Sequence, residues 1–106
     1  MATIVFVPYS PRSFAGIVSD VRTLIGDCEV LALCLEGETP PDTYRHVSVS
    51  RNGDAALFAH DPGDRLLVVA NGGPTPLGVA AVLLSQRFRC PLINVQRDGI
   101  VRMATD

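Results

Sequence analysis

The stretch Leu67-Val68-Val69-Ala70-Asn71-Gly72-Gly73-Pro74-Thr75-Pro76-Leu77 decides how this chain is read. Leu66 to Ala70 is a continuous apolar run, as expected of a central strand buried on both faces of a sheet. The paired glycines then permit a tight turn and close approach of backbone. Thr75 is a good N-cap, and Pro76 fits the first helical position, where its missing N–H is no loss. A helix is predicted from Thr75 to Arg87. Such a strand–turn–helix unit presents backbone N–H groups and the positive end of a helix dipole, which suit an anion such as a phosphate. The alternative is a tight β–α turn with nothing bound.

Working upstream, Thr3 to Val7 is a second fully apolar run and is read as another buried strand. Pro8-Tyr9-Ser10-Pro11-Arg12 ends it in a stiff loop. Ser13 is expected to cap a helix carrying Phe14, Ile17, Val18, Val21, Leu24 and Ile25 at helical spacing, stopped by Gly26-Asp27. Val30 to Leu35 is a further buried strand, which makes the opening third a β-α-β unit with a right-handed crossover. Glu36 to Asp42 is a surface loop. Tyr44 to Ser50 alternates apolar and polar residues, the pattern of a half-buried or edge strand. Two readings stay open beyond it: a short helix capped by Asn52 and running through Ala55, Ala56, Leu57 and Phe58, or a hairpin turning at Asn52-Gly53. Asp61-Pro62-Gly63-Asp64 is a turn. Downstream, Leu92 to Val95 and Ile100 to Met103 are strands joined by a hairpin at Arg97-Asp98-Gly99. The expected fold is α/β and three-layer Rossmann-like, mostly parallel with an antiparallel C-terminal hairpin, as a single domain over residues 1–106.

The predicted second helix has two apolar stripes. Leu77, Ala80, Ala81 and Leu84 suffice to cover a sheet, yet Val79, Val82 and Leu83 form another. Either a second copy of the chain covers the extra stripe, or the terminal hairpin or middle segment folds over it.

Composition narrows the functional classes. The chain has 106 residues, 47% of them hydrophobic, and a formal net charge of −2, so it has no basic field for bulk nucleic acid. All nine cations are arginines. No lysine is available as a base, Schiff-base former or phosphate anchor. Cys28, Cys34 and Cys90 have no metal-ligand or dithiol spacing and read as small buried thiols in a reducing compartment. Neither a signal sequence nor a run of transmembrane length is evident, so a cytoplasmic location without membrane contact is expected.

The glycine turn is neither a G-x-G-x-x-G fingerprint nor a P-loop. Gly72 and Gly73 let the backbone approach a ligand closely, and Asn71 and Thr75 add side-chain hydrogen bonds. The loop Tyr9-Ser10-Pro11-Arg12-Ser13 should emerge on the same sheet edge, bringing a phenol, two hydroxyls and a guanidinium fork suited to phosphate. Tyr9 is placed to stack on a base. Gln96 and Arg97 follow a neighbouring strand and either reach that edge or sit at a solvated hairpin tip. His46 and His60 lack ligand spacing, Asp20, Asp27 and Asp42 form no acid–base pair, and no serine lies in a nucleophile elbow. A conventional hydrolase or metalloenzyme is therefore disfavoured, and no metal or cofactor is expected.

Asn71-Gly72-Gly73-Pro74-Thr75-Pro76-Leu77, followed by Pro91-Leu92-Ile93-Asn94-Val95-Gln96, resembles the CRISPR-associated Rossmann-fold (CARF) domains over about a third of the chain. Those domains carry a strand ending in Asn, a turn of small residues with Gly-Thr-Pro or Gly-Thr-Lys, a helix, and a strand ending near Val-Gln. The order of Pro74 and Thr75 departs from that pattern, and no lysine stands in the motif. The resemblance implies a homodimer that binds a cyclic oligoadenylate across its twofold axis, as a metal-independent ring nuclease switching off type III CRISPR signalling or as a sponge. Arg12, Ser10 and Ser13 would then orient the ring and stabilise charge. Tyr9, Asn71, Gly72, Gly73, Thr75, Gln96 and Arg97 would bind it. The competing readings are a mannose-type phosphotransferase IIA-like domain, whose phosphorylatable histidine is missing after the first strand, and a structural α/β dimer.

Overall fold

The computed structural model describes residues 2–55, 61–70, 75–95 and 101–104. Within them the elements follow in the order β1 (Thr3–Pro8), α1 (Phe14–Ile25), β2 (Glu29–Leu35), β3 (Arg45–Val49), β4 (Arg65–Ala70), α2 (Pro76–Phe88), β5 (Leu92–Val95) and β6 (Val101–Ala104). The strands form one sheet in the order β3-β2-β1-β4-β5-β6. The first five run parallel, and β6 lies antiparallel to β5, with Ile93 opposite Met103. The turn expected at Arg97-Asp98-Gly99 lies outside the described residues. This is the α/β, Rossmann-like architecture that the apolar runs imply, built outward from a central strand in both directions.

Alternation along the strands divides the core into two layers. Ile4, Phe6, Leu31, Leu33 and Val68 point to the side covered by Ala80, Ala81 and Leu84 of α2. Val5, Val7, Ala32, Leu67 and Val69 point to the side covered by Phe14, Ile17, Val18 and Val21 of α1. Because each central strand is buried on both faces, its sequence shows no polar alternation. The edge strand β3 buries Val47 and Val49 toward α2 and leaves His46 and Ser48 exposed, which accounts for its alternating sequence. Phe6 stacks on Phe88 at 6.3 Å between centroids, joining the centre of the sheet to the end of α2.

Several local expectations hold, one needs correction, and the choice left open at Asn52 goes to the hairpin. Thr75 Oγ1 accepts from Gly78 N–H at 3.1 Å, with Pro76 in the first helical turn. Gly26 ends α1 with φ +85°, and its N–H donates to Arg22 O. Ser13, in contrast, makes no side-chain cap bond. Its N–H and that of Phe14 both donate to Ser10 O, so a backbone turn enters the helix and holds Ser13 at φ −115°, ψ −14° rather than extended. Asn52 begins no helix within the described residues; it lies in a hairpin turn. Gly53 N–H donates to Ser50 O, Ser50 N–H to Asp54 O, and Val49 bridges antiparallel to Ala55. Gly53 takes φ +88°, as a three-residue hairpin loop closed by a left-handed residue requires. Ala56, Leu57 and Phe58 lie outside the described residues.

Candidate functional site

The direction in which strands are added across the sheet reverses between β1 and β4. From β1 the path leaves through α1 on one face, and from β4 through α2 on the other. The carboxyl ends of two adjacent parallel strands therefore diverge, leaving the crevice where open α/β sheets hold ligands. A cleft of about 200 Å³ occupies this position, lined by Pro8, Tyr9, Ser10, Thr75, Leu77 and Gly78.

Each wall has an identifiable origin. Tyr9 N–H continues the pairing of β1 by donating to Leu33 O at 2.8 Å. The Tyr9 ring meets Phe14 edge-on at 5.2 Å, so it is anchored to α1 rather than free to swing. Ser10 turns the chain, its carbonyl accepting from the N–H groups of Ser13 and Phe14, and the residue lines the cleft. The opposite wall is the first turn of α2. There Pro76 has no N–H, that of Gly78 is held by Thr75 Oγ1, and that of Val79 donates to Thr75 O. The N–H of Leu77 has no partner among the described residues. The helix start is thus less bare than the sequence alone implies, since the threonine satisfies the Gly78 donor internally.

The expected site residues divide into three groups. Tyr9, Ser10 and Thr75 come together at the cleft. Arg12 is exposed and Ser13 half-buried in the turn entering α1, beside the cleft but outside its lining. Asn71, Gly72, Gly73, Gln96 and Arg97 lie outside the described residues. Leu77 and Gly78 also line the cleft, in addition to the residues that the sequence singles out for a ligand. Their signal was available: the residues two and three positions after an N-cap carry the donors that face outward at a helix start.

A larger, shallower groove of about 450 Å³ runs along α1 between Phe14, Val18, Arg22 and Tyr44. The Arg22 guanidinium there lies 5.9 Å from the centroid of the Tyr44 ring. We place the site at the smaller cleft because strand ends and a helix start converge on it, whereas the groove is one helix flank with its cation already over a ring.

All three cysteines are free, with Cys34 buried and Cys28 and Cys90 partly so. Burial pushes the Cys34 thiol up, helped by the negative charge of Glu38, and burial likewise raises Cys90. Raised thiols are poor nucleophiles, in keeping with small packing residues. Among the described residues no cluster of His, Cys, Asp or Glu is arranged to hold a metal ion. No described helix is long and apolar enough to cross a membrane. Compared with known proteins, the chain matches no family model, and no curated protein or solved structure matches it significantly.

Proposed function

We propose that this chain binds a cyclic oligoadenylate in the switch-point cleft, as a homodimer joined through the outer face of α2, and opens the ring without metal. The observation that carries the reading is the meeting of Ser10 with Leu77 and Gly78, in the first turn of α2, around one cleft at the carboxyl edge of the sheet, where the positive end of the helix lies. Its volume, about 200 Å³, falls below the ~300–1,000 Å³ of a typical small-molecule pocket. One protomer therefore accommodates a single phosphate-ribose unit, and a symmetric ring needs two such clefts. Val79, Val82 and Leu83 supply an apolar centre for the association, each remaining 40–45% exposed in the single chain.

Ring opening requires a ribose 2′-hydroxyl to attack the adjacent phosphorus in line, forming the 2′-O–P bond as the P–O5′ bond breaks. The 5′-oxygen leaves with a proton, and a 2′,3′-cyclic phosphate remains. Most of the acceleration would come from holding the ring in that geometry, with Ser10 on a non-bridging oxygen and Arg12 reaching in from the adjacent turn.

The test is incubation of the purified protein with cyclic tri-, tetra- and hexa-adenylate in metal-free buffer, with AMP and inorganic phosphate as comparisons. Equilibrium dialysis reads binding, and chromatography reads products. Retention of one ring size with linear products is expected. Retention without products would assign a sponge. Retention of none would reject the cyclic-oligoadenylate reading and favour a structural dimer. Arg12→Ala should weaken binding at least tenfold, the scale of one lost charge-assisted contact; unchanged affinity would remove that turn from the site.

A further inference from the structure

The start of α2 is held from two sides. Successive residues of a helix are about 100° apart around its axis. Leu77 and Gly78, which line the cleft, therefore lie roughly opposite Pro76 and Val79. Against that second side rests Gly53, at the tip of the hairpin that follows β3. Gly53 is buried, takes φ +88°, and a Cβ built on it would stand 2.6 Å from Val79 Cγ1, 2.9 Å from Val79 Cβ and 3.4 Å from Pro76 O. The hairpin itself cannot retreat easily. It is tied by Ser50 N–H to Asp54 O at 2.8 Å, by Asp54 N–H to Ser50 Oγ at 3.1 Å and by the Val49–Ala55 bridge, and Ala55 packs into the core beneath α2.

We infer that Gly53 is a positioning residue for the cleft: by bringing bare backbone against Pro76 and Val79, it sets how far the first turn of α2 stands from Ser10. Any side chain at 53 pushes that turn away from the hairpin, toward the cleft. The turn moves as a unit because Thr75 Oγ1 and Thr75 O hold Gly78 and Val79. The inference takes its ligand from the function proposed above, but its geometry is independent of that ligand.

The experiment compares the 106-residue chain with Gly53→Ala, Val79→Gly and the double variant. Each is titrated with cyclic tetra-adenylate by calorimetry, and its backbone amides are followed by nuclear magnetic resonance. Gly53→Ala should bind about tenfold more weakly, since sub-ångström to ångström misplacement of a binding group costs on that order or more. It should also displace the Leu77 and Gly78 amide resonances. Val79→Gly removes both close atoms, Cγ1 and Cβ, so the double variant should recover affinity to within about threefold of Val79→Gly alone. Its melting temperature should stay below that of wild type, because the strain of a non-glycine residue at positive φ is untouched. A loss of stability alone would leave affinity and amides in place.

Should Gly53→Ala fail to fold, Gly53→Asn carries the same Cβ while tolerating positive φ better. Wild-type affinity with unshifted Leu77 and Gly78 amides would overturn the inference, as would a double variant that binds no better than Gly53→Ala. If even wild type binds no ring, the proposed ligand is wrong, and the amide displacement alone decides whether Gly53 positions the turn.

Discussion

Thr75 shows how one side chain serves two ends that compete. Its hydroxyl closes the helix start by accepting from Gly78 N–H, and the same bond withdraws that donor from the cleft. Thr75→Ala should therefore destabilise the fold by about 1 kcal/mol, the usual worth of an N-cap, in a urea titration, while Thr75→Ser should be close to neutral. A destabilisation below the error of the titration would mean that the cap adds nothing to the packing of α2. Thr75 followed by Pro76 was legible in the sequence because both act within a single turn. Ser13 misled for the same local reason: a serine before an apolar helix looks like a cap. Its backbone is instead claimed by Ser10 O, a partner three residues back that composition does not reveal. Gly53 was visible as a turn residue. Its contact with Val79 was not, because the two meet only after β3 and α2 have docked on the same face.

At the scale of elements, α2 is the piece whose surroundings are incomplete. Ala80, Ala81 and Leu84 are buried on the sheet, whereas Val79, Val82 and Leu83 stay 40–45% exposed. The middle segment covers a corner of this stripe, through Gly53 on Val79, as one of the two alternatives drawn from the sequence expects. A stable dimer buries about 1,200–2,000 Å² in total, so in the proposed association three half-exposed aliphatic side chains would form the centre rather than the whole extent. Leu83→Glu should convert a dimer to a monomer in sedimentation velocity at micromolar concentration while leaving the far-ultraviolet dichroism unchanged. A wild-type chain that sediments as a monomer would contradict the association. The strands were readable for a simpler reason. Thr3 to Val7, Val30 to Leu35 and Leu66 to Ala70 are short unbroken apolar runs bounded by turn residues, and burial on both faces demands that pattern. The segment after Ser50 was ambiguous because Ala55, Ala56, Leu57 and Phe58 carry no period that separates helix from strand.

For the molecule as a whole, the sheet divides roles between its two ends and its interior. The interior is apolar and holds Cys34, whose thiol burial keeps in the protonated form. A folded-state value raised above the unfolded one favours the native state fully below the unfolded value and loses that advantage as pH rises above it. Stability should accordingly be level with respect to this thiol up to about pH 8.5 and fall beyond, with Cys34→Ala showing a shallower alkaline decline in thermal unfolding. An identical decline in the variant would remove Cys34 as a contributor. The carboxyl end of the sheet carries the cleft, and there the sequence reading reached furthest for position and least for detail. The meeting of the Ser10 loop with the start of α2 follows from two adjacent parallel strands. Which N–H groups remain open does not, because that depends on how the helix start satisfies itself.

Sharing of one symmetric ring by two proposed clefts is read out by calorimetric titration of the chain with cyclic tetra-adenylate and the other rings. Saturation by one ring size at one ring per two chains is expected, lost together with the dimer in Leu83→Glu. Saturation at one ring per chain, or binding that survives intact in a monomeric variant, would contradict it.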